Sequence, residues 1–193
     1  SGGVLWVPGN PVSARSGVHD DIEGARAYIR ALAGDSYDAD RVDSFLRHGP
    51  RMVEFFERET AVRFLAQPDF PDYWADVAGA ASGRSIVAAP FDGRQLGRHV
   101  HALRPPLREI TFVGMMFNAS QEVRHFFQAT RSLKSAAYVA RRLLQHAVEL
   151  SRYRRAMRPT NGNALAARLA RSCLDLKVPI ALSTPLRSMR PEG

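Results

Sequence analysis

Cysteine is almost absent: Cys173 is the single one in the chain, so no internal disulfide can form. Without a cluster of thiols, a structural zinc site is not expected either. Lysine is as scarce, with two against 25 arginines. No apolar run approaches the ~20 residues of a membrane-spanning helix. No secretory signal is visible, and the expected location is cytoplasmic. The sequence has no G-x-S-x-G elbow, the sharp turn that exposes a nucleophilic serine. Basic residues are not interleaved with aromatics, and there is neither an internal repeat nor a low-complexity segment. These absences exclude a disulfide-stapled module, a helical membrane protein and an elbow-type serine hydrolase.

What is there has an ordinary globular composition. The 193 residues are 45% apolar, enough for one domain, 1–193, with a sizeable core. The net charge is +8. Its arginines are spread along the chain, which points to a solvated arginine-rich surface rather than a nucleic-acid face, with some charge free to meet acidic partners. Of six histidines, only His99 and His101 are close in sequence. No carboxylate or thiol pattern joins them, so polar or capping roles are expected and no metal. Cys173 falls on an apolar helix face and reads as a small core residue.

Hydrophobic spacing predicts an α+β protein, predominantly helical, with a few short strands. Residues 4–7 read as a strand and residues 12–19 as a loop. A helix is expected from Asp20 or Asp21, either of which can cap it, to Gly34. A second is expected over 39–47, ended by His48-Gly49-Pro50, and a third after Pro50. Residues 60–65 and 86–89 suit strands. Residues 67–74 hold two prolines and three aromatics and must be an irregular loop. Residues 90–106 are too rich in proline and glycine for long regular structure. Residues 110–118 suit a strand or a buried turn of helix, and 120–129 a short helix. The strongest helix covers 133–153, with Leu133, Ala136, Ala137, Ala140, Leu143, Leu144, Ala147, Val148 and Leu150 on an inward face. A last helix over 164–174 leads to a closing strand at 178–183.

Three stretches carry chemistry. The opening SGGVLWVPGNP has glycines where a backbone can approach closely. It is either a loop entering the core or a backbone laid against a flat ligand, with Trp6 nearby. The chain begins on this motif without Met or leader, so it is expected to be a piece of a longer protein. Tyr73, in the proline-bounded loop, is either an aromatic anchor or a phenol that donates to a carbonyl and relays a proton. Asn161-Gly162-Asn163, ahead of a helix, is either a cap or an anion site.

The opening S-G-G-x-x-W-x-P-x-N resembles the flavin-contacting segment of the fumarate reductase and 3-ketosteroid 1-dehydrogenase superfamily of FAD flavoproteins. The likeness continues through Asp20-Asp21, Pro71-Asp72-Tyr73, Phe91-Asp92-Gly93-Arg94-x-Leu96-Gly97 and Asn161-Gly162-Asn163-Ala164-Leu165. It covers most of the chain and is strongest toward the ketosteroid branch. The resemblance implies part of an FAD/NAD(P)-binding-type domain in an oxidoreductase acting on a CH–CH bond beside a carbonyl. A fumarate-reductase-like reductase of a small acid is the alternative, and a non-catalytic basic helical interaction module is the rival of another class. The implied cofactor contacts are Ser1, Gly2, Gly3, Asn161, Gly162 and, near the adenine, Leu186. Trp6, Phe70 and Trp74 would wall the substrate, a steroid or small acid, with Tyr73 as an accessory to catalytic groups outside this stretch. The family's G-x-G-x-x-G turn is missing from the sequence, as is its substrate cap. The remainder of the flavoprotein is therefore an expected partner, and the isolated chain is expected to be inactive and prone to self-association.

Overall fold

The computed structural model describes residues 2–117 and 122–189. Its small antiparallel sheet is built from β1 (Val4–Trp6), β2 (Phe64–Ala66) and β3 (Ser85–Ala88), in the order β1-β3-β2. Val4 pairs with Val87, Leu5 with Ile86 and Trp6 with Ser85; on the other side Leu65 pairs with Val87. The central strand is buried along its whole length. The α+β reading holds in its coarse form: helices dominate and the strands are short.

The described residues form six α-helices: α1 (Pro11–Arg15), α2 (Ile22–Ala33), α3 (Ala39–Glu59), α4 (Glu122–Phe127), α5 (Leu133–Tyr153) and α6 (Asn161–Asp175). Their starts follow capping chemistry. Asn10 accepts from the Ser13 N–H, Asp21 from those of Glu23 and Gly24, and Asp38 from that of Arg41, each satisfying an orphan donor. One core gathers Val7, Val12, Val53, Val62, Phe64 and Ile86; the other gathers Ala88, Phe91, Leu96, Val100, Met157, Ala164 and Ala167. Leu165 packs against both.

Several expectations are corrected. Residues 12–19 are not all loop, because Asn10 caps and Pro11 opens α1. Pro50 does not divide two helices: α3 runs through it. Gly49 brings the helix against Val7, just after β1, where an added Cβ would lie 3.1 Å from Val7 Cγ1, and this close packing is set against the proline's lost hydrogen bond. The second strand starts at Phe64 rather than Thr60, whose hydroxyl donates to Phe56 O and accepts from Val62 N–H, closing α3. As expected, residues 90–106 hold no long regular element: 93–102 form 3-10 turns broken at Gly97, with φ 54°. Of residues 110–118, Phe112 and Met115 form a single antiparallel bridge, while Asn118, like Ser120 and Gln121 of the expected 120–129 helix, lies outside the described residues. Helix α6 starts three residues early, at Asn161. No strand forms over 178–183, where Val178, Ile180 and Leu182 are exposed. A strand needs a neighbour for its backbone groups, and among the described residues none lies alongside.

Helix α5 has the expected bounds and the opposite orientation. Its polar Ser135, Arg142 and His146 are buried, while Leu133 and Leu144 are 91% and 69% exposed. His146 Nε2 lies 2.9 Å from Val113 O, so the inward face is held by polar contacts. Nor are all the arginines solvated. Arg168 donates to Ala89, Ala61 and Pro90 carbonyls at 2.8–2.9 Å. Burial, with Arg63 nearby, lowers its pKa from the usual arginine range. Cys173 is only partly buried.

Candidate functional site

Side chains on a strand alternate between faces, so Val4 and Trp6 share one face of β1, together with Ser85 opposite Trp6. They form one wall of a cavity of about 510 Å³. Helix α2 adds Tyr28, Ile29 and Leu32, and the loop over 67–84 adds Phe70, Asp72, Tyr73 and Trp74. The indole of Trp6 stacks on Phe45, with centroids 6.1 Å apart and an 8° tilt, and lies 6.0 Å from Tyr28.

The loop is held rather than floppy. Pro71 and Ser82 bridge across it, and Asp72 N–H donates to Ala81 O at 2.9 Å and Gly83 N–H to Phe70 O at 3.0 Å. Trp74 N–H donates to the Tyr28 hydroxyl at 3.1 Å. Gly79, at φ +81°, lies on α2 so closely that an added Cβ would sit 2.0 Å from Gly24 O. On this anchored loop Tyr73 is 84% exposed, edge-on to Phe70 at 6.3 Å. Among the described residues its hydroxyl has no partner. The structure therefore brings Trp6, Phe70, Tyr73 and Trp74 together around one mainly apolar space.

A second convergence lies at the other end of β1. Gly3, at φ +66°, runs against the start of α6, where an added Cβ would lie 2.2 Å from Gly162 N. Asn161 also has positive φ, 53°. Among the described residues no side chain caps α6: the Thr160 hydroxyl donates to Phe117 O at 3.2 Å and the Asn163 amide donates to Arg104 O at 2.9 Å. Among the described residues the positive end of the helix dipole thus meets no capping side-chain oxygen. An added Cβ at Gly2 would meet nothing within 4 Å, so the backbone there is open to a flat partner. Gly2 and Gly3 thus bring backbone free of side chains to the start of α6. Gly3 immediately precedes β1, on which Trp6 lies, about 10 Å away, so the two convergences are neighbours. Ser1 lies outside the described residues, and Leu186 is 74% exposed on the segment after α6, which has no helix or strand.

A further cavity of about 410 Å³ is lined by His101, Arg108, Arg154, Arg155, Arg158 and Asn163, with apolar neighbours. Arg155 donates to the carbonyls of Val100 and Leu103, and Arg158 pairs with Glu122 at 2.6 Å. Burial lowers the Arg155 pKa. Among the described residues no group of three or more His, Cys, Asp or Glu is placed to hold a metal ion, and no helix is long and apolar enough to cross a membrane.

Sequence reasoning missed Arg84, whose buried guanidinium meets Asp20 and Asp72. One arginine among many after a glycine-rich stretch gives no signal of its own. Asp72 was visible only as part of the Pro71-Asp72-Tyr73 motif, and Tyr28 only as an apolar position of α2.

The model of the FAD binding domain family matches residues 1–191. The 4-oxocyclohex-2-ene-1-carboxylate 5-dehydrogenase of Sinomonas cyclohexanicum is 38% identical over 187 residues, 96% of this chain and 31% of that protein. The 3-oxosteroid 1-dehydrogenase of Mycobacterium tuberculosis (strain ATCC 25618 / H37Rv) is 34% identical over 143 residues, 71% of this chain and 25% of that one. The crystal structure of 3-ketosteroid delta1-dehydrogenase from Sterolibacterium denitrificans in complex with 1,4-androstadiene-3,17-dione superposes with a TM-score of 0.84. That likeness covers 100% of this chain and 34% of the other, at 28% identity. The chain spans about a third or less of the length of these relatives. Matched over nearly its whole length, and with Gly3 laid on the start of α6, the chain belongs to the FAD binding domain family.

Proposed function

We propose that residues 1–193 act as one unit within an FAD-dependent oxidoreductase that removes hydrogen from neighbouring carbons beside a carbonyl, in the manner of a 3-ketosteroid 1-dehydrogenase. The observation that carries this is the convergence of Tyr73, Trp6, Phe70 and Trp74 on an apolar cavity beside the Gly3–Gly162 contact. When bound, FAD supplies the hydride acceptor. Gly2, Gly3, Asn161 and Gly162 hold its edge through backbone groups, with Ser1 and Leu186 as further contacts. Trp6, Phe70 and Trp74 orient a flat apolar substrate and exclude water. The Tyr73 hydroxyl donates a hydrogen bond to the substrate carbonyl or passes a proton, as an accessory group.

A fused-ring ketone suits these walls because the cavity lining is aromatic and aliphatic, with Asp72 and Ser85 as its polar members. Among the described residues no arginine lines it, and a small dicarboxylate would need cations there. The alternative, a small-acid reductase, is favoured by one feature only, the arginine-lined cavity beside Asn163. Steady-state turnover of the whole flavoprotein with an artificial electron acceptor separates the two. A 3-keto steroid that is oxidised while fumarate and succinate are inert supports the ketosteroid reading. Turnover of the small acids alone overturns it.

A further inference from the structure

Arg84 follows Gly83 and leads into β3, with a side chain 1% exposed. A buried guanidinium is tolerable only when its donors are met, and its partners come from separate stretches of chain. Nε donates to Asp20 Oδ1 at 2.9 Å, just before α2. Nη1 donates to Asp72 Oδ2 and to Gly79 O, both at 2.8 Å, within the 67–84 loop. Nη2 reaches Asp21 O at 3.4 Å.

Asp72 is itself 2% exposed at its side chain and divides its oxygens. Oδ1 accepts the Trp6 indole N–H at 2.6 Å, while Oδ2 takes Arg84 and also the Ala81 N–H at 3.0 Å. One carboxylate thus binds the indole of β1 to the loop, and one guanidinium binds that carboxylate to the start of α2. Tyr73 is the next residue along. Its ring is exposed and edge-on to Phe70, and the backbone that carries it is fixed at Asp72 and at the Trp74 N–H.

We infer that Arg84 and Asp72 are positioning residues: they hold Trp6 and the base of Tyr73 in one frame, so that the phenol and the indole meet the same substrate. This deepens the proposed dehydrogenase reading and rests on it for the role of Tyr73. A merely structural ion pair would act differently. Asp20 shares Arg84 and is 8% exposed at its side chain, yet among the described residues its carboxylate is bonded to Arg84 and to Gly9 N–H, not to Trp6 or to the 70–81 part of the loop. The molecule has two tryptophans, Trp6 and Trp74, and both line this cavity, so tryptophan emission reports on this wall alone.

The test compares Asp72→Ala with Asp20→Asn. In the whole flavoprotein, Asp72→Ala is expected to lower kcat about tenfold or more through misplacement of the wall, with KM moved less than about threefold. In the 193-residue chain carrying Trp74→Phe, Asp72→Ala shifts Trp6 emission to longer wavelength and raises its quenching by acrylamide. Asp20→Asn lowers the melting temperature but leaves emission and kcat within about twofold. Equal effects of the two variants on emission and kcat, or none from Asp72→Ala, would overturn the inference. A measurement on the unaltered chain guards against a variant that does not fold. By NMR, the Trp6 indole proton should exchange with solvent far more slowly than that of Trp74, and equal rates contradict the frame. These spectroscopic readings need neither cofactor nor substrate. An inert Tyr73→Phe beside a Trp6 freed by Asp72→Ala would therefore sink the proposed reaction and leave the frame standing.

Discussion

Gly79 and Gly17 both have positive φ, +81° and +84°, but only Gly79 touches another element. Its added Cβ would strike Gly24 O, whereas that of Gly17 would meet open space. Gly17→Ala is expected to cost about 1 kcal/mol from backbone strain, and Gly79→Ala several times as much, because the loop must lift off α2. Thermal unfolding of the two variants checks the ranking. Tyr138 gives a pH signature. Burial first, and then its hydrogen bond to Glu122 at 2.8 Å, raise its pKa above the ordinary tyrosine value. The folded state therefore keeps the phenolic proton at pH values where the unfolded chain loses it. That contribution is whole below about pH 10 and fades as pH rises through the folded value. Melting curves between pH 9 and 11 should fall less steeply for Tyr138→Phe than for the unaltered chain.

At the scale of elements, α5 separates what periodicity can read from what it cannot. Leu133, Leu144 and Val148 share a stripe at helical spacing, and this correctly bounds the helix. Spacing does not say which side of the stripe meets the rest of the molecule, and here the buried side carries Ser135, Arg142 and His146. Replacing Leu144 and Val148 with glutamine should change stability by less than about 0.5 kcal/mol each and reduce self-association of the isolated chain. Sedimentation velocity checks the second effect. Loss of stability like that of a core truncation would mean that α5 faces inward. Pro50 shows a related limit, since its helix-breaking tendency is local while the Gly49–Val7 contact that overrides it spans the chain. In the candidate site, Trp6, Phe70, Tyr73 and Trp74 were legible as aromatics in unusual settings. Arg84 was not, and Asp72 was legible only as part of the Pro71-Asp72-Tyr73 motif, because a buried ion pair is defined by partners distant in sequence.

At the scale of the whole molecule, the family match and the TM-score of 0.84 place the chain in a flavoprotein framework of which it spans about a third. The helix-start donors at Asn161 and Gly162 are present, but the sequence holds no G-x-G-x-x-G turn, the usual cradle of a dinucleotide pyrophosphate. Several charge-assisted hydrogen bonds, each worth roughly 1.5–3 kcal/mol, depend on such a turn. FAD titrated into the isolated chain should therefore bind weakly, and micromolar or tighter stoichiometric binding would relocate the cofactor site. The decisive measurement concerns Tyr73 in the whole flavoprotein. With a 3-keto steroid as substrate, Tyr73→Phe should lower kcat at least about tenfold while leaving the melting temperature unchanged, since the phenol is exposed and the loop is held elsewhere. Unchanged turnover with a lowered melting temperature would show that Tyr73 only anchors the loop and that the proposed reaction site is misplaced.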